Sequence, residues 1–408
     1  MSTKRVPASG PATSWGPVLL AIGAGILAAF QVGKVHIALP SIRHSFALSL
    51  VSASWLLSAL SVVGLFVATP TGSYAGKIGT KKTLILGLLL VAAASAAGAF
   101  SPTSAWLLWS RLLEGIGFVM IVVAAPSLIV ELTTHADIRL ALAGWSCFMP
   151  GGIALITLLA PLLLATHTWR ALWLANALLI LLYAALLMVA VKPRSVIPVE
   201  LQAHPLTEFR AVATARGPLF LAIIFGMYTM QQLAIMGFMP TLLIEKFSVS
   251  PSRAGVLVSI AMASNILGNL AAGLLLQRGV RRSVLIGATS MFMVIMSLGM
   301  FSFGLSLAPV YFCAFLFSCV GGIVPASVIS AAPIHAPSEQ LIPATNGFLV
   351  QGSNLGIVLG PPLVSSVAAG LGWRWVPATT LLAALVATLL AARVGSETHA
   401  SAPSLFRV

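Results

Sequence analysis

Acidic residues are almost missing from this chain: eight Asp and Glu stand against 22 Lys and Arg in 408 residues, and charged residues of both signs make up only 7%. A soluble domain is roughly a quarter charged, so a chain this poor in charge cannot cover its apolar surface in water. The shortage of acids also removes most catalytic options. The sequence holds no paired carboxylates, no His cluster and no phosphate-cradling glycine loop of the G-x-x-x-x-G-K-[ST] kind, which argues against an embedded enzyme and against direct use of ATP. No cofactor is expected. Cysteine is scarce as well, and Cys147, Cys313 and Cys319 lie in apolar runs without metal-ligand spacing, so they read as small buried hydrophobes. The methionines between Met227 and Met300 raise the question of copper, but thirteen Met in so apolar a chain is ordinary, and no metal site is expected. Finally, no long polar stretch is present. The longest, residues 192–216, is too short to fold by itself, which argues against a receptor or scaffold carrying its own soluble domain.

What the chain has instead is continuous apolar sequence, 59% of its residues being hydrophobic. A hydrocarbon core about 30 Å thick needs roughly 20 apolar residues per helix. Twelve runs reach about that length: 15–39, 51–75, 83–100, 104–132, 140–166, 170–191, 217–244, 254–276, 283–303, 306–333, 341–369 and 373–393. Continuous rather than alternating hydrophobicity favours helices over barrel strands. The expected fold is an all-α membrane protein with twelve transmembrane helices in two pseudo-symmetric six-helix bundles, residues 15–191 and 217–393. Around them lie a polar tail (1–14), a connector (192–216) and a second tail (394–408). The first run is too long for a signal h-region and lacks a small-residue cleavage site, so it is read as a retained span.

The formal charge of +14 could suggest nucleic acid, but the positions of the bases argue otherwise. Fifteen Lys and Arg fall in the tails and in every second loop, among them Lys77, Lys81, Lys82, Arg210, Arg278, Arg281 and Arg282. Only Arg43, Arg170, Lys246, Arg253 and Arg374 fall in the alternate loops. Basic loops stay on the cytoplasmic side. The pattern predicts a multi-pass protein of the cell (inner) membrane with both termini cytoplasmic, in contact with anionic lipid rather than nucleic acid.

The stretch Gly72-Ser-Tyr-Ala-Gly-Lys-Ile-Gly-Thr-Lys-Lys82 reads as a tight basic turn between two spans. Two hundred residues later it has a counterpart: Gly79, Lys81, Lys82 and Gly87 match Gly279, Arg281, Arg282 and Gly287. The same offset pairs Gln31 with Gln231 and Pro40 with Pro240, and a near-equal one pairs Trp169-Arg170 with Trp373-Arg374. Two copies of one membrane bundle explain this. Pro40 is expected to close the first helix, and the Trp-Arg pairs to anchor helix starts at the membrane interface.

These residues carry a family resemblance. Two six-helix halves, a cytoplasmic connector, the glycine-rich basic turn after helix two with its weaker copy after helix eight, and Arg111-x-x-Glu114-Gly115-x-Gly117 in helix four resemble the major facilitator superfamily along essentially the whole chain. The resemblance implies a secondary transporter, symporter or antiporter, that moves a small-molecule solute by alternating access about a midplane site. Protons are implied as the coupling partner. In this family the turn usually carries an acid where this chain has Gly76, which leaves Glu131 to pair with Lys77 or Lys81. The set Gly72, Gly76, Lys77, Gly79, Lys81, Lys82 and Glu131 is thereby implied as a gating motif. Drug-exporting branches usually carry Gly-x-x-x-Gly-Pro in helix five; this chain has Met149-Pro-Gly-Gly152 and Ala160-Pro161 there, and Gly356-x-x-x-Gly360-Pro361 in helix eleven.

Ionisable side chains at membrane depth cost at least about 2.5–3.5 kcal/mol each, so they mark function. Four are present: Lys34 and His36 in helix one, Arg111 and Glu114 in helix four. Arg111 and Glu114 sit three apart on one face. They either neutralise each other or divide the work, Glu114 exchanging a proton while Arg111 holds substrate charge. Lys34 either snorkels outward or faces the cavity beside Gln31 and attracts an anion. His36 lies roughly 200° around the helix from Lys34 and is a proton-coupling candidate. Tyr228, Gln231 and Gln232 in helix seven, Asn265 and Asn269 in helix eight, and Gln351 and Asn354 in helix eleven are either hydrogen-bond glue or cavity groups. More bases than acids in the spans favours an anionic solute, such as a carboxylate. Proton-driven export of drugs or metabolites is the alternative, and a monomer in lipid is expected.

Overall fold

The computed structural model describes residues 13–134, 137–191, 205–338 and 341–400. In hydrocarbon every backbone N–H and C=O must be satisfied within its own segment, and the apolar runs accordingly fold as helices. The first half consists of α1 (Trp15–Phe46), α2 (Leu50–Ile78), α3 (Thr80–Ala99), α4 (Ser104–Leu132), α5 (Ile138–Ser146), α6 (Phe148–Leu164) and α7 (Trp169–Ala190). A short α8 (Pro205–Thr214) precedes the second half: α9 (Arg216–Glu245), α10 (Pro251–Gln277), α11 (Arg282–Phe301), α12 (Leu307–Gly321), α13 (Ile323–Ile329), α14 (Ala332–His335), α15 (Ile342–Gly370) and α16 (Pro377–Ala400). No strand occurs among the described residues. Ten stretches are long and apolar enough to cross a bilayer, and two shorter ones, Leu50–Phe66 and Phe148–Leu164, fall at the second and fifth expected spans.

The two halves use the same helix pairs. In the first, α1 packs on α4, α6 and α7, while α3 packs on α4 and α7; in the second, α9 packs on α12, α15 and α16, while α11 packs on α12 and α16. The repeat is sharpest at the turns between α2 and α3 and between α10 and α11. Each is made by one glycine in the left-handed region, Gly79 at φ +98° and Gly279 at φ +81°. Corresponding helices also approach to backbone contact. A Cβ added to Gly115 of α4 would lie 2.3 Å from the Leu60 carbonyl oxygen of α2, and one added to Gly322, beside α13, would lie 2.1 Å from that of Asn265 in α10. Small residues of this kind let membrane helices pack without a hydrophobic driving force.

Several boundaries differ from the sequence reading. Helix α2 continues through Gly72 and Gly76 to Ile78, so the expected glycine-rich turn shrinks to Gly79 alone. Pro40 does not close α1; the helix runs on to Phe46, and Pro240 is likewise inside α9. A proline removes one N–H, a loss that a span packed among neighbouring helices tolerates. The fifth expected span is divided at Cys147, ahead of Pro150, into α5 and α6. The tenth is divided at Gly322 and again near Ser330, into α12, α13 and α14.

Between the halves, α2 lies along α15 and α6 along α10. At the end that the basic-loop pattern assigns to the outside, Arg43 Nη1 of α1 is 2.7 Å from Glu245 Oε1 of α9. At the opposite end the contacts of these two helices stay within their own bundles. Tyr183 of α7 donates to the Leu20 carbonyl, Gly25 faces Trp145 of α5, and Gly217 faces His335 of α14. Of α1 and α9, it is the ends carrying Arg43 and Glu245 that meet between the halves.

Two outcomes follow from this packing. Gly322→Val should cost about 1–3 kcal/mol or more through overpacking against α10, whereas Gly273→Val on the same bundle, where nothing lies within 4 Å, should leave the melting temperature of the purified protein nearly unchanged. Arg43→Glu should raise maleimide labelling of a Thr241→Cys reporter, a buried position one turn before Glu245 on the same face of α9, and the swap Arg43→Glu/Glu245→Arg should restore protection. Unchanged labelling in the single variant would show that the pair does not hold the outer end shut.

Candidate functional site

In α1, Gln31 and Lys34 stand one turn apart and point into the first bundle, toward α3, α4 and α7. Lys34 has no exposed surface, and its ammonium has three acceptors: Gln31 Oε1 at 2.7 Å, Ser95 Oγ of α3 at 2.8 Å and Glu114 Oε1 of α4 at 2.7 Å. Its Nζ also lies 4.4 Å from the centre of the Trp173 ring of α7, within cation–π range. The other Glu114 oxygen, Oε2, accepts from Arg111 Nη1 one turn back on α4. Arg111 donates further to the Gln31 carbonyl at 2.7 Å and, at 3.4 Å, to the Leu56 carbonyl of α2. Gln31 Nε2 completes the set by donating to Asn176 Oδ1 of α7 at 3.0 Å. One carboxylate thus holds two cations, and all three groups are at most 1% exposed.

Arg111 and Glu114 do pair directly, the first of the two roles read from their spacing. Lys34 neither snorkels nor lines an open chamber; it and Gln31 are sealed within the first bundle. The partners Ser95, Trp173 and Asn176 went unmarked in the sequence. Asn176, as the polar residue of an otherwise apolar run, was the available signal; Ser95, set among alanines, gave little.

His36 faces the other way. It is 2% exposed, and a Cβ on Gly237 of α9 would lie 3.3 Å from its Nε2, so the ring sits between the halves. Its Nδ1 has no hydrogen-bond partner among the described residues. Farther along this seam, Asn354 of α15 packs against Gly64 of α2, and Gln351 Nε2 donates to the Leu65 carbonyl at 3.2 Å.

The second bundle carries a neutral counterpart of the charged cluster. Gln232 of α9 donates to Ser318 Oγ of α12 at 3.0 Å, the helix pair corresponding to Lys34 and Glu114. Asn265 of α10 donates to Tyr228 Oη at 3.1 Å and to the Ser318 carbonyl at 2.9 Å, while Asn269 donates back to Asn265. Gln231 donates to the Met227 carbonyl at 3.2 Å. The carbonyl ends of Gln231, Gln232 and Gln351 are buried without a partner among the described residues.

In the gating stretch, Lys81 donates to the Met188 carbonyl at the end of α7 at 2.7 Å, and Lys82 is exposed. Glu131 pairs with neither Lys81 nor any other cation among the described residues; its Oε2 accepts from Thr80 Oγ1 at 3.0 Å, at the start of α3. That is a favourable place for a carboxylate, because a helix N-terminus carries partial positive charge. The Lys77 side chain lies outside the described residues. Trp169, expected as an interfacial anchor, is 1% exposed; it donates to Ser45 Oγ and packs between Phe46 and Trp173. The exposed rings are instead those of Trp15, Trp55, Trp106, Trp109 and Trp375. Arg170, stacked on Trp169 at 4.5 Å, covers part of its ring and donates to the Ser101 carbonyl at 3.0 Å.

Removing one partner of a buried ion pair leaves the other uncompensated, at about 3–5 kcal/mol. Glu114→Ala, which strands two cations, should therefore lower stability by at least that amount, read as loss of the monodisperse protein on gel filtration. Asn176→Ala should cost about 1–3 kcal/mol for one unsatisfied amide.

A family model described as Major Facilitator Superfamily matches residues 21–341 and 221–406. Over 392 residues the chain is 29% identical to the 3-(3-hydroxy-phenyl)propionate transporter of Escherichia coli, an alignment covering 93% of this chain and 94% of that protein. Over 173 residues it is 30% identical to the methyl viologen resistance protein of Salmonella typhimurium, covering 42% of this chain and 35% of that protein, so the match spans about a third of that relative. In three dimensions it is similar to a bacterial homolog of the human lysosomal transporter Spinster in an inward-facing, occupied conformation, with a TM-score of 0.80 and 14% identity, covering 95% of this chain and 98% of that one. At that identity the likeness is one of fold. Repeated bundles, paired glycine turns, apolar spans and a family match along most of the chain lead to one assignment: this integral membrane protein belongs to the Major Facilitator Superfamily.

Proposed function

We propose that the chain is a proton-coupled secondary transporter of a small organic anion, with an aromatic hydroxycarboxylate as the fitting class. Residues 15–191 and 217–393 rock about the seam between them, and the monomer sits in the cell (inner) membrane with both termini cytoplasmic. The observation that carries this reading is the charge count of the buried cluster, Lys34 and Arg111 against Glu114 alone. A surplus cation in a low-dielectric bundle makes the adjoining seam attractive to negative charge. The amides of Gln231, Gln232 and Gln351 have capacity left for a substrate hydroxyl, and His36 stands at the seam with its Nδ1 unpartnered among the described residues. The relative aligned along nearly its whole length, named for a hydroxyphenylpropionate, supports the same class.

Proton-driven efflux of cationic drugs is the second reading, favoured by the partial match to a methyl viologen resistance protein. It requires a negative group at the seam to receive the drug, and the one acid described there, Glu245, is already paired with Arg43.

The two readings separate on purified protein. A ligand present at about 100 times its Kd raises stability by about 2.7 kcal/mol. 3-(3-Hydroxyphenyl)propionate should therefore raise the melting temperature by several degrees and methyl viologen should not, and proteoliposomes should accumulate the carboxylate when a pH gradient is imposed. Protection by methyl viologen alone would overturn the anion reading in favour of efflux.

A further inference from the structure

We infer that Lys34, rather than Glu114, is the group that gains and loses the transported proton, and that the Ser95 hydroxyl reports the change to Trp173. This rests on the proton-coupled reading above and names the residue that performs the coupling.

The argument begins with the hydrogen-bond inventory. Arginine stays protonated, so only Lys34 and Glu114 can change charge within the cluster. Both Glu114 oxygens accept from a cation, Oε1 from Lys34 and Oε2 from Arg111. A proton placed on Glu114 would have to displace one of these donors and would leave two buried cations facing a neutral acid. A proton taken from Lys34 does the opposite: it leaves the Arg111–Glu114 pair intact and brings the formal charge of the cluster from +1 to zero.

The surroundings of Lys34 suit both of its states. As an ammonium it spends its three N–H groups on Gln31 Oε1, Glu114 Oε1 and Ser95 Oγ. Ser95 can accept because its own hydroxyl proton is donated to the Trp173 carbonyl at 3.1 Å. Deprotonation breaks one Lys34 N–H bond, passes the proton to a water molecule, and leaves an amine with two N–H groups and a lone pair. Gln31 Oε1 and Glu114 Oε1 can only accept, and Gln31 Nε2 is already engaged with the Leu27 carbonyl and Asn176 Oδ1, so the two remaining N–H groups stay with those oxygens. The lone pair is left to Ser95, the one neighbour that can reverse its role. Its hydroxyl turns from the Trp173 carbonyl to the amine. Trp173 therefore senses the change twice, through the freed carbonyl and through loss of the cation over its ring. The groups facing Lys34 are Gln31 on its own helix, Ser95 on α3, Arg111 and Glu114 on α4, and Trp173 on α7, with Asn176 behind Gln31. His36, two residues on, faces α9 instead. Ser95 is thus a positioning residue.

The test needs no identified substrate. The full chain in detergent is titrated from about pH 6 to about pH 10.5, past the ordinary lysine range, while tryptophan emission is followed. The parent should show a transition that disappears in Trp173→Phe, in Lys34→Met and in the permanently charged Lys34→Arg, while Glu114→Gln and Ser95→Ala keep it with a displaced midpoint. A parent without the transition, a transition that survives in both Lys34 variants, or one that vanishes in Glu114→Gln overturns the inference. Should one Lys34 variant not fold, the other and Glu114→Gln still decide. A second arm measures accumulation of 3-(3-hydroxyphenyl)propionate in proteoliposomes under a pH gradient, where Lys34→Arg should lose at least tenfold. A parent that accumulates the probe while the transition persists in the Lys34 variants sinks the inference alone. A parent with the expected transition but no gradient-driven accumulation sinks the coupled-transport reading and leaves the protonation assignment standing.

Discussion

Glu114 can sit without exposed surface only because each of its oxygens is held by a different cation, one from its own helix and one from α1. That requirement fixes the first bundle. Lys34 cannot reach the carboxylate without also meeting Ser95 of α3 and the Trp173 ring of α7, and Arg111 cannot pair without bonding backbone carbonyls of α1 and α2. Five helices are drawn to one acid. The second bundle uses the corresponding helix pair with Gln232 and Ser318, a neutral bond whose net worth is about 0.5–1.5 kcal/mol. Breaking a buried ion pair costs about 3–5 kcal/mol. The repeat has kept the architecture and placed the charge in one copy.

The same scale separates what can move from what cannot. The Arg43–Glu245 pair between the C-terminal ends of α1 and α9 is partly exposed, and pairs of that kind are worth about 0–1 kcal/mol. Along the seam, Ser58 Oγ donates to the Ile357 carbonyl and Gln351 to the Leu65 carbonyl, both at 3.2 Å and both uncharged. Contacts within the first bundle are harder to undo, since its buried ion pairs cannot be separated without leaving an uncompensated charge. Two stiff bodies joined by weak contacts are what rocking about a central site demands.

Much of this was legible in the sequence, and the reason differs by feature. Offsets of 200 exposed the duplication, because positions such as Gly79 and Gly279 must both adopt positive φ. Hydropathy located the spans, because apolar length is a one-dimensional quantity. It could not place Pro40 inside α1 or divide the fifth span at Cys147, since those depend on neighbouring helices. The four intramembrane ionisable residues were visible by type, and three of them converge. Their direction was not visible: which face of α1 meets α7 and which meets α9 is decided by packing, so Lys34 turned inward and His36 took the seam. Trp169 misled for a related reason, its ring being taken up by Phe46, Trp173 and Ser45 of neighbouring elements.

Sealing the surplus cation inside one bundle, instead of lining the chamber with it, has a consequence for the proposed anion transport. A charge roughly 10 Å away through an effective dielectric of about 20 still contributes about 1.7 kcal/mol, enough to favour an anion over a neutral analogue by more than tenfold. Direct pairing in a dry chamber would hold the anion far more tightly, and a solute that binds too well is not released on the far side. A sealed charge attracts without being neutralised by what it attracts. If Lys34 then surrenders its proton, that attraction fades while every helix contact made through Arg111 and Glu114 persists, so solute affinity changes without dismantling the bundle that produces it.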